Sequence, residues 1–166
     1  MVNEIISLRP MRDIQDDYIA MQSWFHDPAI TQWVWCDEKG EPPVSLERVI
    51  EKYRPRILAK TDVFPYFITR NGTPIGFIQY YINDEASIGL DMWIGNEDSR
   101  GKGRGTEALM MMVELIHRRY PQAKEIFITP DAQNARAIRC YRKAGFLPIG
   151  NVIDDGVDSL LMKVFF

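Results

Sequence analysis

The chain has 166 residues, 46% of them hydrophobic and 26% charged, a composition that suits one globular domain spanning residues 1–166 and excludes a disordered or fibrous chain. Its 23 acidic against 20 basic side chains leave a net charge of −3, which excludes sequence-wide attraction to nucleic acid and leans toward cationic small molecules. Cys36 and Cys140 have neither a disulfide scaffold nor metal-ligand spacing around them, the first residues lack a signal-peptide pattern, and no run approaches the ~18 apolar residues of a membrane span, so reduced thiols, no metal, no membrane partner and a cytoplasmic location are expected.

Residues 5–10 read as a first strand. Asp13 can cap the helix that follows, whose apolar positions Ile14, Tyr18, Met21 and Trp24/Phe25 recur at three- or four-residue spacing. Residues 26–43 hold Pro28, Gly40, Pro42 and Pro43 beside Trp33 and Trp35, and predict a loop with a large aromatic surface. Ser45 caps a second helix with Leu46, Val49, Ile50, Tyr53 and Ile57 on one side, and Pro55 is expected to kink or break it. Asn71-Gly72 between alternating apolar runs at 66–70 and 73–82 marks a tight hairpin with positive φ at both turn residues. A turn at 83–87 and a third strand at 88–95 follow, then a polar, Gly-rich stretch at 96–105. Residues 106–120 form an amphipathic helix with Ala108/Leu109, Met112/Val113 and Ile116 on one face, Arg118 and Arg119 near its C-terminal dipole, and Pro121 as its stop. A short strand at 125–129, a helix at 134–144 ended by Gly145, and strands at 146–149 and 160–165 around an acidic loop at 154–158 complete the order βααβββαβαββ.

Arg100-Gly101-Lys102-Gly103-Arg104-Gly105-Thr106 lies between a strand and a helix, so its backbone N–H groups can converge on an anion at the positive end of the helix dipole. A flexible basic turn is the alternative. Read from Gly101 the dinucleotide fingerprint fails at Thr106, and a P-loop fails because Gly103 stands where Ser or Thr is required.

Arg100-x-x-Gly103-x-Gly105 resembles the first signature of the GNAT acetyltransferase superfamily, and Asn134 followed by Ala137, Tyr141, Lys143, Gly145 and Phe146 resembles its second. The two occur in the superfamily's order, and the likeness covers nearly the whole chain. It implies an α/β (α+β) GNAT fold: a central mixed, mostly antiparallel sheet, splayed between strands 4 and 5 and flanked by about four helices. It also implies acetyl-CoA in the gap, with its pyrophosphate on the Gly103 loop. Gly89-Leu90-Asp91-Met92-Trp93-Ile94-Gly95 and the two signature blocks together look like the aminoglycoside 6'-N-acetyltransferases, in which Thr129 is replaced by aspartate in some members.

That resemblance implies a division of labour. Asp91 is the candidate base and acceptor-ammonium site, placed by strand alternation opposite Leu90, with a structural strand carboxylate as the alternative. Tyr141 is the candidate acid for the departing thiolate, or else a half-buried packing aromatic. The cofactor set is Trp93, Ile94, Arg100, Gly101, Lys102, Gly103, Arg104, Gly105, Thr106, Asn134, Ala137 and Lys143; within it the Ile94 N–H would act as oxyanion donor beside a strand bulge, and Asn134 would bind the pantetheine arm unless it is only a helix cap. Trp33 and Asp155 are the acceptor contacts, with Trp35, Asp37, Glu38, Asp84, Glu85, Asp154 and Asp158 as further loop candidates. Cys140 is a small packed residue, and His26 and His117 carry no chemistry. The expected activity is acetyl transfer from acetyl-CoA to an aminoglycoside 6'-amine by direct attack, giving resistance; the partner is that small-molecule amine, with no nucleic acid, for a monomer or homodimer. The rivals are transfer to another small-molecule amine, a siderophore precursor or a peptide N-terminus, and a non-catalytic CoA-binding sensor.

Overall fold

Among the described residues seven strands join one sheet in the order β1-β2-β3-β4-β5-β7-β6. The computed structural model describes residues 3–34 and 44–166. Along the chain run β1 (Ile6–Pro10), α1 (Gln15–Trp24), α2 (Pro28–Thr31), α3 (Leu46–Ile57), β2 (Val63–Arg70), β3 (Thr73–Asp84), β4 (Ser87–Ile94), α4 (Arg104–Arg119), β5 (Glu125–Ile128), α5 (Ala135–Lys143), β6 (Leu147–Asp154) and β7 (Val157–Phe165). Every pairing is antiparallel except β4 with β5. Among the described residues no helix is long and apolar enough to cross a membrane.

Each face of the sheet buries its own core. On one, Ile78, Tyr80, Ile88, Leu90 and Met92 pack against Ala108, Leu109, Met112 and Ile116 of α4 and Tyr141 of α5. On the other, Phe67 and Phe77 pack against Met21, Trp24 and Phe25 from α1 and its C-terminal end and against Val49 and Tyr53 of α3. The feature that shapes the site is the brevity of the parallel pairing. β4 meets β5 only at Ser87↔Glu125, Ile88↔Ile126 and Gly89↔Phe127, so residues 90–94 run on without a β5 neighbour and the sheet opens.

Asn71 and Gly72 take φ values of 50° and 84°, the turn expected there. Five local expectations give way. Asp13 does not cap α1: Ile14 holds that position without a side-chain bond, and the Asp13 carboxylate accepts from the Tyr18 hydroxyl at 2.7 Å and pairs with Arg54 at 3.3 Å. Ile14 itself is 39% exposed and outside the buried stripe. The loop expected at 26–43 holds the extra helix α2, where Pro28 occupies the first turn, which needs no proline N–H, and Asp27 accepts from the Ala29 N–H at 2.9 Å. Pro55 lies inside α3, which runs on past it to Ile57. The acidic loop expected at 154–158 is a two-residue turn: Asp155 and Gly156 adopt φ of 46° and 77°, and β6 and β7 extend to meet them.

Asp17 of α1 fastens this helix to β1. Its buried carboxylate accepts two bonds from Arg9, at 2.8 and 3.0 Å, and one from the Arg12 N–H at 2.8 Å. Burial pushes its pKa up, but the Arg9 and Arg12 bonds outweigh it and hold the carboxyl below its usual range. The stabilisation is therefore present above the ordinary carboxylate pKa and is lost as pH falls through the lowered value. Asp17→Asn is expected to lower stability at pH 7 and to flatten its dependence on pH below the ordinary carboxylate range, checked by denaturant midpoints measured from neutral pH down into acid.

Candidate active site

Along β4, Leu90 and Met92 are buried toward α4 while Asp91 turns to the opposite face, the one exposed member of an otherwise covered run. Gln79 stands directly across from it in the β3–β4 register and donates from Nε2 to Asp91 Oδ2 at 2.9 Å. Solvent reaches Asp91 from the open side, but protein walls the rest of its surroundings. That burial pushes the carboxyl above its usual range; the Gln79 bond opposes the shift, the Asp154 charge adds to it, and Arg56 and Lys52 oppose it further.

The walls come from β3, β5, β6 and α3. Tyr81 of β3 lies over Gly89, where a β-carbon would come within 2.1 Å of the ring, and meets Phe127 edge-on at 5.8 Å. Burial foremost, with the Asp91, Asp154 and Asp155 charges, raises the Tyr81 hydroxyl's pKa and keeps it protonated. Thr129 donates to Asp154 Oδ2 at 2.6 Å. From α3, Arg56 Nη1 donates to Gln79 Oε1 at 3.2 Å. The Lys52 ammonium is pulled down to about 7 by burial first and the Arg56 charge second, with Asp91 pulling the other way.

Tyr141 lies on the α4–α5 side, buried, with its hydroxyl hydrogen-bonded to no described residue. Burial foremost, with the Cys140 and Asp91 charges, raises its pKa and keeps the phenol protonated. Asp91 and Tyr141 thus occupy opposite faces of the sheet, either side of the place where β4 and β5 part. The β3–β4 register is unbroken from Gly76↔Ile94 to Ile82↔Ile88, and directly after Ile94 the strand bulges, the Gly95 and Asn96 N–H groups both donating to the Ile75 carbonyl at 2.8 and 2.9 Å. With the Gly95 N–H turned toward Ile75 on the β3 side, alternation directs the Ile94 N–H into the gap that β5 leaves.

Gly101 and Gly103 take φ of 71° and 77°, and Gly103 begins α4 with no side chain capping its first amides. Arg136 of α5 borders this loop, since a β-carbon at Gly101 would lie 3.1 Å from its Nη2. Lys102 and Lys143 are exposed. Gly105 is where α4, α5 and β4 converge: a β-carbon there would come within 3.2 Å of Cys140 Sγ and 3.3 Å of Met92 Cε. Thr106 donates to the Cys140 carbonyl at 3.4 Å, and Cys140 is packed, as expected.

Several residues of the expected cofactor set spend their side chains on the protein. Arg100 donates to the Ile94 and Gly95 carbonyls at 3.0 and 3.1 Å and to Asp27 at 2.9 Å, clamping the end of β4 to α2. Arg104 pairs with Glu4, and its Nη1 is buried without a partner. Trp93 stacks on Phe77 at 4.4 Å, on the α1–α3 side. Asn134 caps α5, its Oδ1 accepting from the Ala137 N–H at 3.2 Å while Nδ2 stays uncommitted, and Ala137 packs against the core. Asp155 reaches the Tyr81 ring electrostatically; Trp33 is 40% exposed beyond the end of α2. Trp35, Cys36, Asp37 and Glu38 lie outside the described residues. Sequence reasoning missed Gln79, Arg56, Lys52, Tyr81 and Arg136; of these only Gln79 carries a signal, as the single amide in the apolar run 74–82.

The model of an acetyltransferase (GNAT) domain matches residues 13–153. The chain belongs to the GNAT acetyltransferase family. This acetyltransferase is 35% identical over 162 residues to the aminoglycoside N(6')-acetyltransferase type 1 of Klebsiella pneumoniae, covering 90% of the chain and 78% of that protein. A kanamycin resistance protein of Rhizobium radiobacter shares 42% identity over 69 residues, 42% of this chain and 63% of that protein. Among solved structures, aminoglycoside acetyltransferase AAC(6')-Ib in complex with coenzyme A superposes with a TM-score of 0.82 at 31% identity, covering 97% of this acetyltransferase and 95% of that chain. The same protein with coenzyme A and kanamycin agrees equally well, at a TM-score of 0.82. The GNAT fold expected from the two signatures is therefore the fold found.

Proposed function

We propose that this acetyltransferase carries the acetyl group of acetyl-CoA to the 6'-amine of aminoglycosides, by direct attack of the amine, in the cytoplasm. The observation that carries this reading is the pair Asp91 and Tyr141, on opposite faces of the opening between β4 and β5, in a chain that matches AAC(6')-Ib over nearly its whole length.

The residues present fit acetyl-CoA. The uncapped amides at the start of α4, beside Arg136 and Lys102, suit a pyrophosphate, and the buried Arg104 Nη1 has an unfilled donor at the same helix end. The Ile94 N–H and Asn134 Nδ2 suit the amides of a pantetheine arm. When bound, acetyl-CoA supplies an activated acyl carbon and a thiolate leaving group. On the α3 face, Asp91 holds the acceptor ammonium and draws its proton, directly or through water, leaving a lone pair on nitrogen. On the α5 face, Tyr141 holds at its hydroxyl the proton that a departing thiolate takes. Asp154 and Asp155 accept further ammonium groups of the acceptor around Tyr81, and Trp33 offers a flat face for a sugar ring. We assign Arg100, Thr106 and the Trp93 side chain to building the site. Neutralising the amine removes a charge by which such a drug holds ribosomal RNA, which gives resistance.

The test is acetyl-CoA-dependent thiol release by the purified protein with kanamycin, tobramycin and unrelated amines, with the acetylated position of each product identified. Turnover at the 6'-amine is expected. Silence with the drugs and activity on another amine would discard the acceptor while keeping the chemistry.

A further inference from the structure

Gln79 is 8% exposed and lies directly opposite Asp91 in the register of β3 and β4. A primary amide fits such a position either way round at similar steric cost, because its oxygen and nitrogen are nearly the same size. The neighbours decide the orientation. Arg56 can only donate, and its Nη1 does so to Oε1 at 3.2 Å; the Asp91 carboxylate can only accept, and Nε2 donates to its Oδ2 at 2.9 Å. Turned round, the amide would set oxygen against carboxylate and NH₂ against guanidinium, exchanging two attractive contacts for two repulsive ones. Arg56 is held in turn, its guanidinium 5.3 Å above the ring of Tyr53, which is itself buried edge-on against Phe77 at 5.7 Å.

We propose that Arg56 fixes the direction of the Gln79 amide and that Gln79 fixes the Asp91 carboxylate, engaging Oδ2 and leaving Oδ1 for the acceptor ammonium. Both are positioning residues, and the proposal rests on Asp91 being the group that meets the amine. The charged and titratable neighbours that bear on Asp91 are Lys52, Tyr53 and Arg56 of α3, Tyr81 of β3, Asp154 of β6 and Tyr141 of α5. None of these groups donates a hydrogen bond to it; Gln79 does. Loss of that donor withdraws stabilisation from the ionised form alone, so activity declines at low pH and returns as pH rises.

The experiment is kcat/KM against pH for wild type, Gln79→Met, Arg56→Met, Arg56→Lys and the Gln79→Met/Arg56→Met double variant, with acetyl-CoA and kanamycin. Alongside it, the ¹³Cγ titration of Asp91 is followed by NMR, its signal assigned by its loss in Asp91→Asn. In Gln79→Met the acid limb and the ¹³Cγ midpoint are expected to rise by about one pH unit, about a tenfold loss below the limb, with less than about threefold change on the plateau. Arg56→Met shifts both the same way, Arg56→Lys restores part of the shift, and the double variant moves by less than the sum of the singles. Unmoved midpoints in both single variants, or strictly additive shifts, would overturn the proposal. If Gln79→Met fails to melt cooperatively, the two Arg56 variants carry the test. Full turnover in Asp91→Asn would instead remove Asp91 from the reaction, and the ¹³Cγ midpoints would still report whether Arg56 and Gln79 act on it.

Discussion

Asp91→Asn is expected to lower kcat/KM with kanamycin by about 10²- to 10⁴-fold while leaving the affinity for acetyl-CoA unchanged, read by thiol release and by calorimetric titration of the cofactor. The substitution keeps the size of the side chain and an oxygen able to accept from Gln79, so the strand pairing and the opening beyond Gly89 persist. What disappears is the negative charge that meets the ammonium and the site that takes its proton. In the wild type, burial holds the Asp91 carboxyl above the usual range, so activity is present above that raised value and falls as pH drops through it. Lys52, pulled down to about 7, gains charge as pH falls through that value and repels an incoming ammonium, which adds to the loss. A kcat/KM profile that stays flat down to pH 4 would contradict this account of Asp91.

Phe77→Ala is expected to destabilise the protein by about 3–5 kcal/mol, measured as a shift in the urea midpoint with unchanged slope. Phe77 is fully buried, stacked on Trp93 at 4.4 Å and edge-on to Tyr53 at 5.7 Å. Its removal leaves a void between the sheet and α3 that rigid neighbours on both sides do not fill. The functional loss should follow the structural one, because Tyr53 supports the Arg56 guanidinium that meets Gln79. A midpoint within about 0.5 kcal/mol of wild type would show that α3 settles into the gap.

The glycine loop, the α4 stripe and Asp91 were legible because each is local: positive-φ glycines before a helix, a 3.6-residue period, a polar residue alternating in an apolar strand. Gln79 and Arg56 were not, since their roles depend on register and on a helix crossing 23 residues away in the chain. The Arg100 side chain misled for a related reason. A guanidinium beside a glycine loop suggests phosphate, but strand-end carbonyls claim this one. The second half of β6, residues 150–154, escaped because nearly every residue of that strand is exposed, which leaves no alternation to read, although Asp155-Gly156 carries the turn signature of Asn71-Gly72. Short α2 was hidden by Pro28, which marks a helix start as readily as a loop.

The three-residue junction of β4 and β5 also has a mechanical meaning. It joins a four-stranded slab, β1 to β4, to a three-stranded one at a single end, like the spring of a clothes peg. From Gly89 to Ile94 the unjoined jaw is about 16 Å long at ~3.3 Å per residue, so a rotation of about 5° at the junction moves its tip by about 1.4 Å. That displacement is comparable with the error in position that costs an enzyme about two orders of magnitude in rate. Hydrogen exchange at the Ile88 and Phe127 amides is thus a sensitive gauge of how firmly the jaws are set.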